Sequence, residues 1–114
     1  MTNGQILLID DDPDFSLIIR EVVKMESYTF TGVQKVDCLT SLMQKHSPDL
    51  VLLDFCLKGR NGGELCCFIR NELRLQLPVV LLSTYPEAQL PLAQIPFPFL
   101  FLNPLIFGVH RMSE

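Results

Sequence analysis

Three adjacent carboxylates, Asp10, Asp11 and Asp12, follow the apolar run Ile6-Leu7-Leu8-Ile9, and a further carboxylate, Asp54, follows a second run, Leu50-Val51-Leu52-Leu53. Neighbouring negative charges repel one another, so such a cluster is costly unless something offsets it. A hard divalent cation does so, because it prefers carboxylate oxygens. The competing reading of the first cluster is structural: Asp12 caps the helix that follows, and its neighbours are solvated loop acids. A third apolar run, Val79-Val80-Leu81-Leu82, ends at Ser83-Thr84, and a fourth, Phe99-Leu100-Phe101-Leu102, ends at Asn103-Pro104. One acid after an apolar run is a common accident. Acids after two runs, a hydroxyl after a third and an amide after a fourth form a pattern.

The elements that must hold these groups can be read from the same residues. Short continuous apolar runs read as strands buried on both faces. Pro13 suits the first turn of a helix with Asp12 as its cap. Phe15, Ile18, Ile19, Val22 and Met25 then recur at helical spacing to about Glu26. Residues 28–33 are rich in β-formers and predict a second strand towards an edge. Asp37 is expected to cap a second helix with Leu39, Leu42 and Met43 as its buried stripe. His46 falls near that helix's C-terminal end, where a cation suits the dipole. Ser47-Pro48 breaks it. Residues 55–61 read as a loop, and a third helix is expected from Gly62-Gly63 to about Arg74, with Leu65, Phe68, Ile69 and Leu73 on its apolar side. Prolines 86, 91, 96 and 98 leave room only for a short helix at about 87–94. A short helical tail is expected from Leu105 onward.

Alternating strands and helices with short connections give a parallel sheet with helices on both faces. In open α/β sheets, sites form at the carboxyl ends of the strands. Asp10, Asp11, Asp54, Ser83 and Asn103 are therefore expected at one edge of one sheet.

Bulk properties narrow the function classes. A chain of 114 residues with 48% hydrophobic residues suits one domain, residues 1–114, with a real core. A net charge of −4 and no Lys/Arg-rich block argue against nucleic-acid binding, which needs cations to meet phosphates. Residues 1–5 carry no basic segment of the signal-peptide kind. Prolines and an asparagine interrupt the apolar stretch 95–107, which falls short of the ~18 residues of a membrane span. Cys38, Cys56, Cys66 and Cys67 show no CxxC spacing, so they read as reduced, small side chains of a cytoplasmic protein.

At this point the sequence resembles the receiver domain of two-component response regulators. The resemblance is carried by ILLIDDDPD, DLVLLDFCLKGRNGGEL, PVVLLST and FLFLNPL, and it covers nearly the whole chain. It implies a flavodoxin-like α/β fold: a doubly wound, five-stranded parallel sheet in the order 2-1-3-4-5, here with shortened C-terminal helices. It implies that Asp54 accepts a phosphoryl group from a sensor histidine kinase or a phosphotransfer protein. It further implies that Asp10, Asp11, Asp54 and the backbone carbonyl of Cys56 hold Mg2+, that Ser83 is the switch hydroxyl, and that Thr84 and Asn103 contact the phosphoryl group. Such a domain is a phosphoryl acceptor rather than an enzyme. With no output domain in the chain, it is expected to signal by contact with a downstream protein. A homodimer through the face of the fourth helix, fifth strand and fifth helix is a further expectation, as is no contact with membrane.

The chain departs from the family pattern in three places. Asn103 stands where the family has lysine, so a hydrogen-bond donor replaces a full positive charge. Lys58, in the loop after Asp54, is the nearest other cation in sequence. Leu100 stands at the family's switch aromatic, and the C-terminal helices are proline-rich or cut short. These departures motivate a second reading, a degenerate receiver that binds partners without phosphorylation. A third reading, a small haloacid-dehalogenase-type phosphatase, takes Asp10-x-Asp12 as its opening motif.

Overall fold

The elements in chain order are β1 (Gln5–Ile9), α1 (Pro13–Met25), β2 (Thr29–Val33), α2 (Leu39–His46), β3 (Leu50–Asp54), α3 (Gly62–Cys67), β4 (Val79–Leu82), β5 (Leu100–Asn103) and β6 (Gly108–Arg111). The computed structural model describes residues 3–54, 57, 61–83, 100–103 and 108–111. The expected short helix at 87–94 lies outside them.

The strands form one sheet in the order β2-β1-β3-β4-β5-β6. β1 pairs in parallel with both β2 and β3, and β3 pairs in parallel with β4. β5 adds in parallel to β4, and β6 returns antiparallel to β5. This last strand corrects two expectations: the sheet has six strands rather than five, and residues 108–111 of the expected helical tail are strand. Only four residues separate Asn103 from Gly108, which suits a hairpin return, whereas a parallel return needs a crossover of a dozen or more.

The core lies on one face of the sheet. Leu7, Ile9, Val51, Leu53, Val79 and Leu81 pack there against Leu39 and Met43 of α2 and Leu65 and Cys66 of α3, with Ile69 just beyond. Strand alternation sends Ile6, Leu8, Leu50, Leu52 and Val80 to the opposite face. The chain steps from β1 to β2 in one direction and from β2 to β3 in the other. The right-handed crossover rule therefore puts α1 on the face opposite α2.

Local details explain how the helices begin and end. α2 starts from Cys38, which makes no side-chain cap bond. Asp37, the expected cap, is exposed and instead meets Lys35 at 3.9 Å. α2 stops at Ser47, whose left-handed backbone (φ 43°) turns the chain into Pro48. The third helix is regular only to Cys67, and residues Phe68–Glu72 wind on as a π-helical turn rather than an α-helix reaching Arg74. The wider turn accompanies Arg70 folding inward, where its Nη1 donates to the carbonyl of Leu75 at 2.8 Å.

Candidate functional site

The site is built at the carboxyl edge of β1, β3 and β4. β1 is buried along Ile6–Ile9, so its continuation delivers Asp10 into a buried position, 5% exposed. Asp11 and Asp54 are half-buried. Register fixes their approach: Ile9 pairs with Leu53, so the residues that follow each strand emerge side by side. One carboxylate oxygen from each of Asp10, Asp11 and Asp54 lies within 4.8 Å of the others.

Burial costs the Asp10 carboxylate its hydration. Its carboxyl is accordingly pushed up to about 6, with burial as the first cause. The N–H of Asp12, which donates to Asp10 Oδ1 at 2.8 Å, holds it down in part. The charges of Asp54, Asp11 and Asp12 then push it further up. Three converging hard oxygens in a place that penalises their charge suit a hard divalent cation. The residues therefore fit Mg2+.

Asp12 does not join this group. Its Oδ1 accepts the N–H of Asp14 at 3.0 Å and of Phe15 at 3.4 Å, capping α1 with Pro13 in the first turn. That geometry removes the basis for reading Asp10-x-Asp12 as a phosphatase pair, since Asp11 rather than Asp12 lies with Asp10.

Leu82 lies beside Asp54 in the β3–β4 register, so Ser83, the next residue, sits at the same edge. It is a buried polar residue, 4% exposed. Asn103 ends β5, whose Leu102 pairs with Leu82, and its backbone therefore reaches this edge too. Cys56, Lys58 and Thr84 lie outside the described residues.

Two supports were not singled out from sequence. Asn61 closes the loop that follows Asp54: its side-chain oxygen accepts the N–H of Glu64 at 2.8 Å, and its Nδ2 donates to Glu64 Oε1 at 3.0 Å. The signal was present as Asn-x-x-Glu ahead of an apolar helix, a relative of the capping box. The inward turn of Arg70 had no signal, since an arginine on a short helix ordinarily reads as surface.

The family model described as "Response regulator receiver domain" matches residues 6–95. The phosphate regulon transcriptional regulatory protein PhoB of Pseudomonas aeruginosa is 28% identical over 88 residues, covering 76% of this chain and 38% of that protein. The chain thus spans well under half the length of this curated relative. Among solved structures, the BeF3-activated N-terminal receiver domain of RstA from Klebsiella pneumoniae matches with TM-score 0.66 and 29% identity, over 73% of this chain and 69% of that one. The response regulator TrrA from Thermotoga maritima, in complex with Mg(2+)-BeF, matches with TM-score 0.67 and 25% identity, over 78% and 75%. A two-component response regulator from Clostridium difficile, at 22% identity and TM-score 0.76 over 91% and 84%, is similar in fold.

Proposed function

This chain belongs to the response regulator receiver domain family, and from that premise we propose that it takes a phosphoryl group onto Asp54 from a sensor histidine kinase or a phosphotransfer protein. The observation that carries this reading is the convergence of Asp54 with Asp10 and Asp11 at the carboxyl edge of the sheet. A carboxylate there is half-exposed, held at the end of a rigid buried strand, and open to a donor.

In the proposed step a carboxylate oxygen of Asp54 attacks the phosphorus of a phosphohistidine. The new O–P bond forms as the P–N bond breaks, and the leaving imidazole nitrogen keeps the electron pair and takes up a proton from water. Asp10, Asp11, Asp54 and the Cys56 carbonyl would hold Mg2+, which would supply positive charge against the clustered carboxylates and the phosphoryl group. Asp10 places a buried carboxylate beside Asp54, and Asp12 fixes the strand-to-helix turn that presents both Asp10 and Asp11. The Ser83 hydroxyl donates a hydrogen bond to the arriving phosphoryl group, a local charge event that biases a two-state element. Thr84 and Asn103 complete the contacts, with Asn103 donating a hydrogen bond where the family has a charge. The receiver is then a phosphoryl acceptor whose output is contact with a downstream protein, and a homodimer through the face of the fourth helix, fifth strand and fifth helix is proposed beside it.

The test is phosphotransfer in the presence of Mg2+ from a phosphorylated histidine phosphotransfer protein, followed on a phosphate-retarding gel. A retarded band for the wild type that is absent for Asp54→Asn supports the reading. No retarded band for the wild type, or the same band for Asp54→Asn, contradicts it.

A further inference from the structure

Where α1 passes over the edge strand β2, the two elements enclose a hollow of about 390 Å3. Two cations line it, Arg20 and Lys24, one helical turn apart. Like charges at that spacing repel each other. Among the described residues neither forms an ion pair or accepts a neighbour that would offset the repulsion. In a chain of net charge −4, this leaves a local positive site with no acid against it.

The floor of the hollow is flat and apolar. Strand alternation puts Phe30 and Gly32 on the same face of β2, and both line the hollow. A Cβ at Gly32 would lie 2.7 Å from Ser16 Oγ and 3.0 Å from Phe30 Cε2, so glycine is what keeps the space between helix and ring open. The half-buried Phe30 ring presents a face against which a second ring stacks. Ser16 and Gln34 add a hydroxyl and an amide to the lining. Neither side chain has a hydrogen-bond partner among the described residues.

Size and charge together narrow the occupant. Pockets for small ligands run from ~300 to ~1,000 Å3 and combine apolar walls with a few polar groups. This hollow lies at the lower end of that range, with room for a ring system and one anionic group. A phosphate suits the pair of cations, since an arginine grips phosphate oxygens as a fork and a lysine meets them as a point charge. We infer that the hollow between α1 and β2 binds a small aromatic phosphate monoester, its phosphate against Arg20 and Lys24 and its ring over Gly32 beside Phe30. The Ser16 hydroxyl and the Gln34 amide serve polar atoms on that ring. The site shares no residue with Asp10, Asp11 and Asp54, and it does not rest on the phosphoacceptor reading.

The test is isothermal titration calorimetry of the full chain with 1-naphthyl phosphate in Mg2+-free buffer, where the three clustered carboxylates repel an anion. Binding should saturate. The double variant Arg20→Gln/Lys24→Gln should weaken it by at least about tenfold. Inorganic phosphate, which lacks the ring, and 1-naphthol, which lacks the charge, should each bind at least about tenfold more weakly than the probe. Lys45→Gln, which removes an exposed cation from α2, should bind as the wild type does. Far-UV circular dichroism checks that each variant folds, and Lys24→Gln alone replaces the double variant if the latter does not. The inference is overturned by an absence of saturable binding or by undiminished binding to the folded Arg20/Lys24 variant. It is also overturned if inorganic phosphate or 1-naphthol binds as tightly as the probe, or if Lys45→Gln weakens binding as much as the loss of Arg20 and Lys24.

Discussion

The backbone N–H of Asp12 donates to the buried carboxylate of Asp10 at 2.8 Å, while the side chain of Asp12 turns away to cap α1. One residue thus holds a candidate metal ligand in place and starts the helix behind it. The two roles separate under mutation. Asp12→Ala removes the cap but keeps the N–H, and should cost ~1 kcal/mol, a fall in Tm of about 4 °C for a domain of this size. Titration with Mg2+ should give nearly unchanged affinity. A large loss of affinity without the stability change would place Asp12 in the metal site instead.

Asp10 should make the metal-free protein sensitive to pH. Its carboxyl is pushed from 3.8 up to about 6 in the folded state, chiefly by burial. Between those values the folded chain binds more protons than the unfolded one, so its stability falls as pH rises. The contribution is fully present below pH 3.8 and is lost as pH passes through about 6. Thermal unfolding in a chelator from pH 5 to 8 checks the sign. Asp10→Asn should flatten this part of the profile and raise the metal-free Tm near neutrality by a few degrees, on the order of 1 kcal/mol. The same substitution should weaken Mg2+ by at least about tenfold.

The cysteines should differ sharply in reactivity. The Ser41 hydroxyl donates to Cys38 Sγ at 3.3 Å, which lowers the Cys38 pKa, and the thiol is exposed. Burial pushes Cys66 up to about 11 and also raises Cys67. Among the described cysteines, alkylation of the native protein followed by peptide mapping should label Cys38 first, Cys67 more slowly, and Cys66 only on unfolding. Ser41→Ala should slow the Cys38 reaction.

Asn103 ends β5 at the edge that carries Asp54, without a positive charge. Two unit charges ~4 Å apart interact by about 4 kcal/mol at an effective dielectric of ~20. Recovering even a third of that corresponds to roughly tenfold in rate. Asn103→Lys should therefore speed phosphoryl uptake from a small acyl-phosphate donor by about tenfold or more. An unchanged rate would mean that the charge at this position is already supplied from elsewhere.

Much of this fold was legible because its central strands are unbroken apolar runs. Ile6–Ile9, Leu50–Leu53 and Val79–Leu82 could be buried on both faces only in a parallel sheet, and a residue at the end of such a strand has one place to go. Asp10, Asp11 and Asp54 could therefore be brought together from sequence, and one oxygen of each lies within 4.8 Å of the others. Local ambiguity defeated other readings. Asp37 and Cys38 are adjacent, and a one-residue shift moved the start of α2 beyond the reach of the expected cap. The π-turn at Phe68–Glu72 leaves no mark on a 3.6-residue pattern that short. Residues 105 onward looked like a helix, yet residues 108–111 pair with β5 as an antiparallel strand. Periodicity correctly marked α1 as a helix, but Ile18, Val22 and Met25 turn out exposed and Val23, outside the stripe, is the buried residue.

The central claim is tested most directly by the intact mass of the chain after incubation with Mg2+ and a small acyl-phosphate donor, with peptide mapping to locate any adduct. The account predicts one added phosphoryl group, carried by the peptide that contains Asp54, dependent on Mg2+ and absent from Asp54→Asn. An unmodified mass with every donor tried, or an adduct that persists in Asp54→Asn, would contradict it.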